Sequence, residues 1–238
     1  MTAPAQLIAR APTRIDLGGG WTDVPPYSHE EGGFVCNIAI TRHATVRVRE
    51  SASGSGAIDT QRAADSALAE AAVRRAGVGG ITVEISSDFP IGAGLGGSSA
   101  AGVAVNGALA VWRGGSIDRS ALAEQSRAIE VEDLGVPGGR QDHYAAAYGG
   151  ALALTFGDET RVRRLPLTSA VRKDLERRCI IAYTGQSRIS GDTITAVLGA
   201  YRARERRVLH ALGRMKALAR AMADELHAGD IDELGQLV

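Results

Sequence analysis

The sequence predicts an α+β fold on three observations. A long β-rich run, Phe34 to Val48, alternates apolar and polar residues after Ile40, the period of a half-buried strand. A strand, a glycine-rich loop and a helix follow one another between Ile81 and Trp112. Beyond Gly149-Gly150 the pattern restarts with a strand and then turns to long helices, so a domain boundary is expected there, dividing the chain into 1–150 and 151–238.

Leu7 to Ala9 and Phe34 to Val48 open an N-terminal sheet. Residues 52–60 are rich in small residues and read as a loop. Ala63 to Ala76 reads as a helix, with Leu68, Ala72 and Val73 on one face and Gly77 as its stop. Ile81 to Ser86 alternates as a strand. Ala101, Val105, Ala108, Leu109 and Trp112 recur at helical spacing just after Ser98-Ser99. Asp118 reads as the N-cap of a helix that passes Leu122, Ser126 and Ile129 and stops at Gly135. A short helix carries residues 140–149. Strands are then expected at Ala151 to Phe156, Val162 to Leu165 and Cys179 to Tyr183, with long helices from Thr193.

Composition narrows the function. Of 238 residues 45% are hydrophobic, enough to bury roughly 70% of the surface of the unfolded chain, which excludes general disorder. The 27 basic and 27 acidic residues cancel, which argues against a nucleic-acid or polyanion partner. Neither Lys173 nor Lys216 follows a glycine loop, which excludes a Walker-type phosphate loop. No stretch has signal-peptide character or the roughly 20 apolar residues of a membrane span, so a cytoplasmic protein is expected. Cys36 and Cys179 each sit in an apolar strand-like run, which predicts reduced, buried thiols. The histidines and cysteines lack zinc-site spacing.

Gly92, Gly94, Gly96 and Gly97, followed by Ser98 and Ser99 at a helix start, let the backbone approach an anion while N–H groups point at it. Phosphate is the expected ligand; the plainer alternative is a flexible turn before a capped helix. Gly92, Gly94 and Gly97 also satisfy G-x-G-x-x-G, which keeps a dinucleotide-dependent oxidoreductase open, although Ser87 to Pro90 separate the strand from the glycines. Upstream, Gly18, Gly19 and Gly20 lie between Arg14 and Asp23, so a tight turn brings a cation and a carboxylate to one site. Asp142, beside Gly138-Gly139, stands at a helix start, where the dipole favours negative charge. Glu130 follows Ser126 by four residues, at the margin of the face that should be buried, where a carboxylate needs a partner; the alternative is a solvated acidic face.

The run from Pro90 to Ala101 resembles the ATP-binding segment of the GHMP kinases, and Arg14 to Asp23 resembles the sugar-binding motif of their galactokinase-like branch. The resemblance covers about residues 7–200. It implies the GHMP kinase fold, an N-terminal domain like ribosomal protein S5 domain 2 and a C-terminal ferredoxin-like α/β domain, and a sugar 1-kinase using ATP and Mg²⁺. By it, Gly92, Gly94, Leu95, Gly96, Gly97, Ser98 and Ser99 hold the nucleotide. Ser98 and Glu130 hold the metal, with Glu132 and Asp133 as fallbacks. Gly20, Trp21, Thr22 and Asp23 bind the sugar, and Arg14 lies near the transferred phosphoryl group. Asp142 is the candidate for the carboxylate that phosphoryl transfer to an alcohol requires. Gly97 departs from the serine or threonine usual in the family.

For the sugar, Trp21 with Pro25-Pro26 is similar to fucokinases. The run Arg140 to Gly150 is similar to heptose 7-phosphate kinases, with His143 replacing a glutamine. His143 either orients substrate or caps a turn. Tyr183 to Arg188 resembles a family segment entering the second domain, where Arg188 meets a phosphate or lies on the surface. A third class stays open: a non-catalytic sugar- or nucleotide-binding protein. Finally, Asp230 reads as an N-cap only eight residues before Val238, and no late glycine-rich stretch follows, so a truncated second domain is expected. Apolar surface on the helices after Thr193 would then favour a homodimer.

Overall fold

The computed structural model describes residues 6–51, 54, 56–60, 63–90, 92–185 and 190–238. They pack as two compact units, one of residues up to Thr13 with Ile40–Tyr148, the other of Arg14–Ala39 with Gly149–Val238. Strands β1 (Gln6–Gly18) and β2 (Gly33–Glu50) pair with each other and contribute to both units.

In the first unit, β3 (Ala57–Thr60) runs parallel to β4 (Ile81–Ser87), and β4 pairs antiparallel with the second half of β2, Ala44 to Glu50. The expected loop at 52–60 thus ends in a strand. Four residues are too few to show a period, and the ladder to Thr82–Ile85 makes it. Residues 52, 53 and 55 lie outside the described residues. Helices α1 (Ala63–Ala76), α2 (Gly97–Trp112), α3 (Arg119–Ala128) and α4 (Gln141–Tyr148) complete the unit. Val46, Val48, Val83 and Ile85 of the strands bury against Leu68, Ala72, Val105 and Leu109 of the helices. Small residues along α2 let its neighbours approach closely: a Cβ on Gly102 would lie 2.4 Å from Ser126 Oγ of α3. Asp118 caps α3 as expected, accepting from Ala121 N at 2.9 Å. The helix then widens into a π-helical turn, Ile129–Asp133, a distortion common at functional sites.

In the second unit, Gly33 to Ile38 of β2 pair with β5 (Ala151–Phe156), which pairs with β6 (Thr160–Leu165). Helices α5 (Ser169–Arg178), α6 (Ser190–Arg202), α7 (Arg206–Ala228) and α8 (Ile231–Leu237) follow. Helix α7 buries Leu212, Ala219, Met222, Ala223 and Leu226 as one stripe, and its last four join Phe34, Cys36, Ala153 and Leu165 in the core. Asp230 caps α8, accepting from Glu233 N at 2.9 Å. Helix α5 was not expected, because none of its residues is fully buried and only its cap, Thr168, marks it.

The strand expected at Cys179 to Tyr183 does not form. Ile180 is 89% exposed, and no strand among the described residues pairs with this stretch. Cys179 is therefore exposed rather than buried, whereas Cys36 is buried, and both are free. Burial, then the charge of Asp16, pushes the Cys36 thiol up to about 12. A thiol reagent at pH 8 should thus titrate Cys179 in the native protein and both cysteines only after denaturation. Because the folded value is raised, the stabilisation from the buried thiol is complete below the ordinary 9.0 and is lost as the pH climbs toward about 12. Rapid native labelling of Cys36 would contradict this. No helix among the described residues is long and apolar enough to cross a membrane.

Candidate active site

The glycine loop enters α2 through backbone that only glycine adopts readily. Gly92, Gly94 and Gly96 have φ of 68°, 73° and 71°, while Ile91 lies outside the described residues. Gly96 is the N-cap and has no side chain to cap with, so the first-turn N–H groups of a 16-residue helix carry the positive end of its dipole toward the loop. Such an end suits phosphate. A Cβ at Gly97 would lie 2.4 Å from Phe89 Cε2, so a side chain there requires the ring to move. Gly97→Ser should therefore cost about 1–3 kcal/mol by overpacking, and Phe89→Leu should recover most of it. A thermal-melt double-mutant cycle checks this; additive losses would remove Phe89 as the cause.

Next to the loop, Ser99 Oγ donates to Glu130 Oε2 at 3.1 Å, and His143 Nε2 lies 3.0 Å from the same oxygen. His143 Nδ1 is 3.2 Å from Ser126 Oγ. Glu130, on the π-helical turn, keeps only 13% of its side chain exposed. Burial alone would raise its carboxyl, but hydrogen bonds from His143 and from the Ser98 and Ser99 hydroxyls hold it below the usual range. The fallbacks Glu132 and Asp133 point elsewhere, to Arg75 at 3.1 Å and 2.6 Å. Asp142, in the first turn of α4, sits against Gly96: a Cβ there would lie 3.1 Å from its Cγ and Oδ2. The start of α2 thus gathers Ser98, Ser99, Glu130 and Asp142. The oxygens of Ser98 and Glu130 fit Mg²⁺, which takes few protein ligands and completes its shell with phosphate and water. No cluster of three His, Cys, Asp or Glu among the described residues is arranged to hold a metal.

In the second unit, the upstream glycines serve close packing as well as turning. A Cβ on Gly18 would lie 2.6 Å from Met222 Sδ, and one on Gly19, φ 95°, would lie 2.1 Å from Phe34 O and 2.9 Å from Ala219 Cβ. A turn follows, with Thr22 N donating to Gly19 O at 3.1 Å. The Thr22 hydroxyl is engaged with backbone, 2.6 Å from Gly19 O and 3.1 Å from Phe34 N, so it braces the turn. Trp21 holds the strained φ of 77° and packs against the cluster of Tyr27, Tyr201 and Leu212. Gly20 is buried, Asp23 is 2% exposed and Arg14 9%. Sequence reasoning missed Asn37, fully buried on β2 with no hydrogen-bond partner among the described residues for either amide atom; buried amides ordinarily bond protein, water or ligand. It also missed the link from Ser126 to His143, which no local motif signals. Gln186, Ser187 and Arg188 lie outside the described residues.

The dinucleotide alternative is not supported by this topology. β4 lies antiparallel to β2, and α2 is followed by α3 and α4 rather than by a parallel strand.

Residues 61–150 match the family profile described as GHMP kinases N terminal domain. The chain is 28% identical over 254 residues to the D-glycero-alpha-D-manno-heptose 7-phosphate kinase of Campylobacter jejuni, covering 96% of this chain and 74% of that protein. It is 25% identical over 269 residues to the bifunctional fucokinase/GDP-fucose pyrophosphorylase of Arabidopsis thaliana, covering 99% of this chain and 25% of that protein. The chain therefore spans about a quarter of the plant relative's length. Among solved structures, a D-glycero-D-manno-heptose 1-phosphate kinase from Bacteroides thetaiotaomicron superposes with a TM-score of 0.79 at 24% identity, over 97% of this chain and 76% of that one, a likeness of fold.

Proposed function

We propose that this chain, whose residues 61–150 match the GHMP kinase N-terminal domain profile, is an ATP-dependent kinase that transfers the γ-phosphoryl group to the anomeric hydroxyl of a sugar. The observation that carries this reading is the set of Ser98, Ser99, Glu130 and Asp142 oxygens around the uncapped start of α2. In it, residues 1–150 carry the nucleotide-binding domain and 151–238 belong to the second, although Arg14–Ala39 packs with the latter. Gly92, Gly94, Leu95, Gly96, Gly97 and Ser99 line the nucleotide's phosphates, and Ser98 and Glu130 hold Mg²⁺. When bound, that ion neutralises phosphate charge. Asp142 accepts the proton of the attacking hydroxyl, and Arg14 offsets charge on the transferred group. Asp23 accepts hydrogen bonds from sugar hydroxyls on the turn that Gly20, Trp21 and Thr22 shape.

The substrate class we favour is a heptose 7-phosphate. The Gln141-Asp142 run and the similarity to the Campylobacter protein support it. Trp21 with Pro25-Pro26 and the similarity to the plant protein support fucose as the second reading. A substrate with its own phosphate also needs an arginine for that distant dianion. Sugar-dependent ADP release, measured over a panel of free and phosphorylated hexoses and heptoses, separates the two. Turnover should be highest on the heptose 7-phosphate; a preference for free fucose retires that reading.

A further inference from the structure

We propose that Ser126 and His143 are positioning residues, a buried relay that fixes the Glu130 carboxylate for the nucleotide's metal, and that Gly102 provides the room it needs. The purpose of the relay rests on the kinase reading; its geometry does not. His143 is buried on α4 and touches two elements at once, with Nδ1 3.2 Å from Ser126 Oγ on α3 and Nε2 3.0 Å from Glu130 Oε2 on the π-helical turn. An ionised carboxylate only accepts hydrogen bonds, so Nε2 carries its hydrogen toward Glu130. In the neutral ring Nδ1 is then bare, and the Ser126 hydroxyl donates to it. One tautomer satisfies every partner.

The surroundings admit little else. Ser126 is fully buried, and its hydroxyl occupies the space where a Cβ on Gly102 would stand, 2.4 Å away. Any side chain at 102 displaces that hydroxyl and removes the partner that orients the imidazole. Glu130 leaves α3 on a turn whose hydrogen-bond register is irregular, so its direction is set by its partners more than by the helix. Ser99 reaches the same Oε2 at 3.1 Å and lies 3.4 Å from His143 Nε2, which ties the relay to the first turn of α2. Partners that orient a metal ligand in this way are typically worth a factor of 10–100 in metal affinity.

The test uses Mn²⁺ as probe, titrated by its paramagnetic resonance against the full chain saturated with a non-hydrolysable ATP analogue. Ser126→Ala and His143→Leu should weaken Mn²⁺ binding by on the order of tenfold, and His143→Gln, which can still donate to Glu130, should recover most of it. Affinity for the analogue without metal should stay unchanged. Because a core variant can misfold, ¹⁵N resonances of the wild-type His143 ring are read as well, and they should show hydrogen on Nε2. Variants within twofold of wild type, or hydrogen on Nδ1, overturn the relay while leaving the kinase reading intact. A wild type that binds neither analogue nor Mn²⁺ overturns the kinase reading and the relay's purpose with it.

Discussion

Asp142→Asn is expected to lower sugar phosphorylation by on the order of 10²-fold or more while leaving ATP affinity nearly unchanged, the loss typical of a removed general base. Asparagine keeps the size of the side chain and fills the same space against Gly96, where a Cβ would lie 3.1 Å from the carboxylate. It loses the ability to take a proton. Asp142 lies in the first turn of α4, where an amide is also tolerated. Turnover from ADP release and nucleotide affinity from calorimetry separate the outcomes. An unchanged rate removes Asp142 from the chemistry. A rate lost only in proportion to ATP affinity makes it a nucleotide-holding residue instead.

Gly19→Ala is expected to destabilise the fold by on the order of 3 kcal/mol or more, at the severe end for a single substitution. Two costs add. The residue has φ 95°, which side-chain-bearing residues rarely adopt, and its Cβ would lie 2.1 Å from the Phe34 carbonyl oxygen. That oxygen belongs to β2, which is laddered to β5, so it has little room to retreat. Gly33→Ala isolates the second cost, because its φ of −100° is ordinary while its Cβ would lie 2.1 Å from Thr22 O. Gly33→Ala should therefore lose less than Gly19→Ala but still well over 1 kcal/mol. Both substitutions push on the turn that carries Trp21, Thr22 and Asp23, so sugar affinity should fall with stability. Denaturant melts of both variants provide the measurement, and losses near 0.5 kcal/mol would mean the two backbones do not press together as described.

What was legible in the chain follows from what is local. Helix α1 lies at Ala63–Ala76 as expected, because its apolar stripe and Gly77 are neighbours in sequence. The caps Asp118 and Asp230 were readable for the same reason. β3 was not, since a strand of four residues exists through its partner β4, and the false strand at Cys179 to Tyr183 shows the converse: apolar β-formers with nothing to pair with. The same division runs through the site. The positive-φ glycines and the serine pair mark a candidate anion cradle in a dozen residues. The partnership of Glu130 with His143 and Ser126 needs α3, a π-helical turn and α4 to meet, and Gly102 on α2 leaves space for the Ser126 hydroxyl. Gly97 looked like a departure from a pattern, and the Phe89 ring that a side chain there would meet lies eight residues back in sequence and becomes visible only in three dimensions.

The central claim is phosphoryl transfer from ATP to an anomeric hydroxyl, and ³¹P resonance of the product tests it most directly. Incubation of the full chain with ATP, Mg²⁺ and the preferred sugar of the panel should yield ADP and, in equal amount, a new phosphate signal coupled to the anomeric carbon and proton. A phosphate on any other carbon would contradict the 1-kinase assignment. ATP binding with no sugar-dependent ADP release would leave a sugar- or nucleotide-binding protein in place of the kinase.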